Sequence, residues 1–163
     1  MKIKRSKNFL KLSVMLAVFL FSLNFCVAQV RELQSSNKKA LKYFNSGKNA
    51  YESRNDELAI IDLKKSIEAD PNFIDPYIIL GTIYYDLKNF NTAIEYFTKA
   101  IAINPKYTST LYYSLGSALL KLGEYDQALL AYNDFFAFGK AHPELEKMAK
   151  RDFINCEFGS MII

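Results

Sequence analysis

The chain has 163 residues, half of them hydrophobic, with 13 Phe and 11 Tyr, enough apolar mass for one cored domain. Its 21 Lys and Arg outnumber 17 Asp and Glu, but five of those cations, Lys2, Lys4, Arg5, Lys7 and Lys11, stand at the amino terminus with no acid among them. Without them 16 cations face 17 acids, about −1, so the basic balance is no argument for a nucleic-acid partner. Behind the basic start, Leu12 to Phe25 is mostly apolar, shorter than the roughly 20 residues a spanning helix needs. Cys26, Val27 and Ala28 then precede Gln29. This order predicts a secretory signal peptide over residues 1–28, cleaved after Ala28, and a protein of the periplasm or cell envelope. Two other fates stay open, retention of the leader as an anchor and lipidation at Cys26. The segment Leu23-Asn24-Phe25-Cys26 is similar to a lipoprotein box with Phe25 where a small residue is wanted. A membrane is expected as a partner under those two fates alone. Past the leader Cys156 is the sole cysteine, so no internal disulfide can form, and it reads as a small buried apolar residue.

Residues 29–36 are short, polar and unpatterned, and read as a linker. Units then recur over about 37–71, 72–105 and 106–140. The central one carries Tyr77, Leu80, Gly81, Tyr84, Ala93, Phe97, Ala100 and Pro105. Small Gly81 and Ala93 let two antiparallel helices cross closely, while Tyr77, Leu80, Tyr84 and Phe97 fill the seam. Pro105 ends the second helix because it cannot donate to the ladder. Asp75 and Pro76 are expected to cap and open the first helix, and Asn89 or Asn91 the second. Tyr43, Gly47, Ala59, Leu63 and Pro71 repeat the pattern 34 residues earlier, departing from it at Ser46 and Ala50. Tyr112, Leu115, Gly116, Ala128 and Tyr132 repeat it 35 residues later, the extra residue falling in the loop of 106–110. There Lys140 stands in place of the proline, and bulky Phe135 replaces Ser66 and Ala100.

A last helix is expected over Pro143 to Phe158. Pro143 suits its first turn, and Leu145, Met148, Ala149, Phe153 and Cys156 form one apolar stripe to cover the third unit. Gly159 is expected to stop it, leaving a tail over residues 159–163.

Aromatic, Leu-Gly, Tyr, Ala, Phe and Pro at these spacings, recurring at 34 residues, resemble the tetratricopeptide repeat. The resemblance covers about Asn37 to Lys140. It implies an all-α, right-handed solenoid of antiparallel helix hairpins, three units plus a capping helix over 141–158. It implies a protein-interaction module whose first helices line an inner groove. On those helices Phe44, Lys48, Tyr51, Ile78, Thr82, Tyr85, Tyr113 and Ser117 stand away from the packing stripe and are the expected peptide-binding residues. Tyr51, Tyr85 and Tyr113 have two readings, grip on a peptide or packing between neighbouring repeats. Some members of the family hold an acidic carboxyl-terminal tail with a clamp of several cations and Asn. Ile78 and Thr82 stand where such polar residues belong, which points to apolar segments instead. The leader, the repeats and Ile154-Asn155-Cys156-Glu157-Phe158 are further similar to the amino-terminal part of large Bacteroidota envelope proteins that continue into a β-propeller and an OmpA-like domain. A fragment of such a protein is accordingly an alternative, as are a scaffold working through its convex face or ends and a dimer through the apolar tail. Catalytic chemistry finds no foothold. All six glycines have structural places, which leaves none for a phosphate loop, and the single histidine, His142, has no cluster around it. The expectation is a non-enzymatic protein with a protein partner, no cofactor, no metal, no nucleic acid and no small-molecule substrate.

Overall fold

The computed structural model describes residues 35, 37–139 and 142–161. The leader with its three fates, most of the linker and Lys140 lie outside them. Among the described residues there are seven helices: α1 (Lys38–Glu52), α2 (Asp56–Ala69), α3 (Ile74–Asp86), α4 (Phe90–Ile103), α5 (Ser109–Leu122), α6 (Tyr125–Ala137) and α7 (Pro143–Ser160).

Each hairpin is built on the same crossing. A Cβ placed on Gly47, Gly81 or Gly116 would meet the side chain of Leu63, Phe97 or Tyr132 at 2.8, 2.5 or 2.9 Å. Glycine is what lets the second helix press a large buried side chain onto the first. The small residues opposite, Ala59, Ala93 and Ala128, are fully buried in all three units. The turns repeat as well. Arg54, Lys88 and Gly123 all adopt a left-handed backbone, φ 60°, 61° and 79°. Their amides return to Tyr51, Tyr85 and Leu120, and the next amides return to Ala50, Tyr84 and Leu119. This double return closes the carbonyls at the end of each first helix. Asn55 and Asn89 then cap α2 and α4 with their side chains, accepting from Leu58 and Thr92. The added residue of the third unit falls in the loop between α4 and α5, as the spacing predicted.

Three details differ from expectation. Helix α3 begins at Ile74 on Phe73, with no side-chain cap. Asp75, inside the first turn, accepts a 2.6 Å bond from Tyr107 instead. Gly159 does not stop α7, which runs on to Ser160. It lies against Tyr125, whose ring a Cβ there would meet at 2.5 Å. Met148 is not in the packed stripe of α7 but 42% exposed, whereas Asp152 is buried on that face beside Ala149 and Cys156.

The first helices approach one another in series, α1 to α3, α3 to α5 and α5 to α7, while no such contact joins α2 to α4 or α4 to α6. The stack is therefore closed along the first helices and open along the second. The first helices line its concave face.

Candidate functional site

Two of the eight predicted groove residues sit at the open start of that face. Phe44 is half-buried with its ring edge-on to Phe73 at 4.8 Å. Lys48 is exposed and lies 3.9 Å from Glu52. Tyr51 is half-buried against the core of the first unit. Burial, and after it the charge of Asp86, pushes its phenol pKa above the ordinary value. Ile78 packs at the margin of the middle core.

The remaining four come together. Thr82, Tyr85, Tyr113 and Ser117 line one pocket of about 250 Å³, with Phe97, Ser114 and Met148 completing it. The sequence periodicity explains the share of two helices: α3 offers Thr82 and Tyr85 one turn apart, and α5 offers Tyr113, Ser114 and Ser117 on the matching face. Thr82 Oγ1 donates to the Ile78 carbonyl at 3.0 Å, so its hydroxyl is satisfied within its own helix. The Tyr85 hydroxyl and Ser117 Oγ are 2.9 Å apart, bonding one repeat to the next. The Tyr85 ring meets Phe90 edge-on at 5.4 Å. Tyr113 stacks obliquely on Tyr132 and Phe135, each at 6.0 Å. Of the two readings of these tyrosines, packing between neighbouring repeats is the one seen directly, since Tyr85 at the pocket bonds to Ser117 of the next unit.

The far wall of the pocket is α7. Tyr113 donates its hydroxyl to Asp152 Oδ2 at 3.3 Å. Asp152 Oδ1 accepts from Arg151 at 3.0 Å, so the buried carboxylate is charge-balanced. Burial first, then the Asp152 charge and hydrogen bond, push the Tyr113 phenol up to about 12. Tyr132 stands behind them, with its hydroxyl buried and without a hydrogen-bond partner among the described residues. Burial and the Asp152 charge raise its pKa too, and raise the Cys156 thiol to about 11.

Sequence reading did not find Phe97, Ser114, Met148 or Asp152 as residues of this site. A signal existed for Asp152. It falls three residues after Ala149 and four before Cys156, which puts it on the buried face of α7. Among the described residues no group of three or more His, Cys, Asp and Glu is placed to hold a metal ion, and no helix is long and apolar enough to cross a membrane.

Residues 74–107 and 96–130 match family models described as tetratricopeptide repeat. A TPR repeat-containing protein of Methanocaldococcus jannaschii is 33% identical over 93 residues, which is 53% of this chain and 16% of that protein's length. Solved structures share the fold. The N-terminal domain of stress-induced protein-1 from C. elegans superposes with TM-score 0.62 at 24% identity, over 69% of this chain and 93% of its own. The Arabidopsis OM64 TPR domain gives TM-score 0.67 at 18% identity, over 74% of this chain and 98% of its own. The second TPR domain of human RPAP3, in complex with the HSP70 peptide SGPTIEEVD, gives 0.64 at 18%, over 73% and 95%. At these identities the likeness is one of fold. The repeats of this chain are tetratricopeptide repeats, and its fold is the all-α helical solenoid that such repeats build.

Proposed function

We propose that this is a non-enzymatic interaction module of the bacterial cell envelope that holds a peptide segment with apolar side chains in its concave groove. Tyr85 and Tyr113 are the anchors. The observation that carries the reading is the pocket between α3, α5 and α7, which has three aromatic rings, a thioether and small hydroxyls in its lining and no charged side chain. Several solved relatives of the fold hold acidic peptides, among them SRMEEVD and SGPTIEEVD. That mode fits poorly here. At the groove position shared by the three units stand Lys48, Thr82 and Ser117, and the one cation lies beside Glu52. The envelope location rests on the basic and apolar leader, and amino-terminal sequencing from the host tests it. A start near Gln29 supports export, a blocked start at Cys26 moves the protein to a lipid anchor, and a cytoplasmic protein starting at Met1 overturns the location.

Crosslinking pull-down from intact envelopes tests the groove. Replacing Tyr85 and Tyr113 together by Ala is expected to weaken partner capture by about 2 kcal/mol or more with helical content unchanged, because buried aromatic anchors dominate such interfaces. Wild-type retention by that variant would favour a second reading, a scaffold that works through the second helices. Exposed Leu58 and Ile61 on α2 and Leu130 on α6 supply its apolar contacts. In that case Leu130→Lys, not the tyrosine pair, abolishes capture.

A further inference from the structure

We infer that α7 is a working wall of the binding pocket, not merely the end cap of the solenoid. On this inference, which rests on the groove reading above, Met148 touches one inserted apolar side chain of a partner segment and Asp152 holds Tyr113 in position to receive it. Three independent observations converge on this. Met148 leaves the packed face of its own helix, where the neighbouring stripe residues Ala149 and Cys156 are fully buried, and stands at the pocket 42% exposed. A residue that served only to cap would gain by turning into the core, as a flexible thioether readily does. Second, α7 buries a carboxylate where an apolar residue would pack at less cost. That carboxylate accepts from the one tyrosine of α5 that lines the pocket. The bond is long for O–H···O, yet it fixes the direction of a ring that otherwise has only oblique aromatic neighbours. Third, α7 touches α5 as well as α6, so its seating and the shape of the groove are one structure.

The occupant follows from the lining. About 250 Å³ among Phe97, Tyr85, Tyr113 and Met148 suits one branched aliphatic or aromatic side chain. Ser114, whose hydroxyl has no side-chain hydrogen bond among the described residues, stands at the pocket to serve the peptide backbone beside it. A charged side chain would lose its hydration there without a counter-charge, because Asp152 is already balanced by Arg151.

The chain has four methionines, so the protein labelled with 13C-methyl methionine reports directly on Met148, with Met161, 78% exposed, as the internal reference. The probes are N-acetyl-leucinamide and N-acetyl-phenylalaninamide, with N-acetyl-lysinamide and the α-amide of N-acetylglutamic acid, its side-chain carboxylate free, as charged counterparts. The two apolar probes are expected to shift the Met148 methyl signal saturably and leave Met161 in place, and the charged pair to shift neither. Asp152→Leu keeps an apolar packing face but removes the acceptor, and is expected to weaken the apolar probes about fivefold or more. Asp152→Asn, which still offers an oxygen to Tyr113, should recover most of that loss. A purely structural role for Asp152 predicts no such rescue pattern, because both variants would then follow their melting temperatures. Wild-type affinity in Asp152→Leu overturns the positioning role. A Met148 signal blind to both apolar probes, or equally responsive to the charged ones, overturns the pocket wall. If Met148 is silent while the Tyr85 and Tyr113 pair still governs capture from envelopes, the groove reading survives and this inference alone fails. If both are without effect, the groove reading falls with it.

Discussion

The three repeat crossings and the seat of α7 solve the same packing problem in different ways. In the repeats a glycine faces a large side chain inside a closed core, as Gly81 faces Phe97, which is 2% exposed. At α7 the close approach is Gly159 against Tyr125, a half-buried ring at the edge. The core beneath it contains a buried carboxylate and a buried phenol without a partner. The repeats are satisfied locally, unit by unit, and so look alike. The α7 seat is satisfied only partly, and it is where the pocket lies. Consistency in the scaffold and departure from it at one end is the pattern expected when binding is placed at the departure.

Removing residues 143–163 probes the difference most severely. It would uncover Phe135, 1% exposed in the intact protein, and Phe136, whose ring meets Phe153 at 6.0 Å. Phe138 is already 39% exposed and leans towards Tyr112, so it adds little to the new surface. The loss should be roughly 3–5 kcal/mol and bring aggregation, read by light scattering and thermal melting. A truncated protein that stays monomeric with an unchanged melting temperature would show that α7 caps nothing.

The next contrast sets the two kinds of crossing side by side. Gly81→Leu should cost roughly 1–3 kcal/mol, because even a Cβ there meets the Phe97 ring at 2.5 Å and a leucine overpacks the crossing. Gly159→Ala should cost less than about 1 kcal/mol, since the Tyr125 ring can swing towards solvent and alanine favours the helix. Equal losses in chemical denaturation would mean that α7 is seated as rigidly as the repeats.

Smaller again is the backbone effect at the turns. Arg54 and Lys88 hold the left-handed conformation that Gly123 adopts without strain. Lys88→Gly should stabilise the protein by up to about 1 kcal/mol, the relief of a left-handed side chain less the added freedom of the unfolded glycine. The same change at exposed helix-interior Lys99 should destabilise by a similar amount. A fall in stability at position 88 would refute the shared turn.

The mildest test is alkaline. Phenols ionise near 10 in the unfolded chain, whereas Tyr113 in the fold is raised to about 12 by burial and Asp152. The unfolded state therefore releases its proton first. The stability that Tyr113 contributes below pH 10 drains away between about 10 and 12. The Tyr113→Phe variant should show a shallower decline over that window. A parallel decline in the two proteins would place the loss elsewhere.

Some of this was fixed by the order of residues alone. Gly47, Gly81 and Gly116, with Ala59, Ala93 and Ala128 and a period of 34 to 35, determine hairpins that stack, because each unit meets the same neighbours and no distant contact has to be known. That Thr82, Tyr85, Tyr113 and Ser117 share one side of the first helices, away from the packing stripe, was legible for the same reason, since a helix face follows from its spacing. The tertiary structure decided the rest. Arg54 and Lys88 have no composition that announces a left-handed turn, and the fold imposes it on them. Asp75 looked like a cap until Tyr107, brought up by the next loop, claimed its carboxylate. Met148 left the expected stripe and Asp152 was buried on that face because one side-chain bond, from Tyr113 on a helix far away in sequence, is made once among the described residues. A periodic pattern cannot encode a contact that does not repeat. Its geometry exists only when both helices are in place.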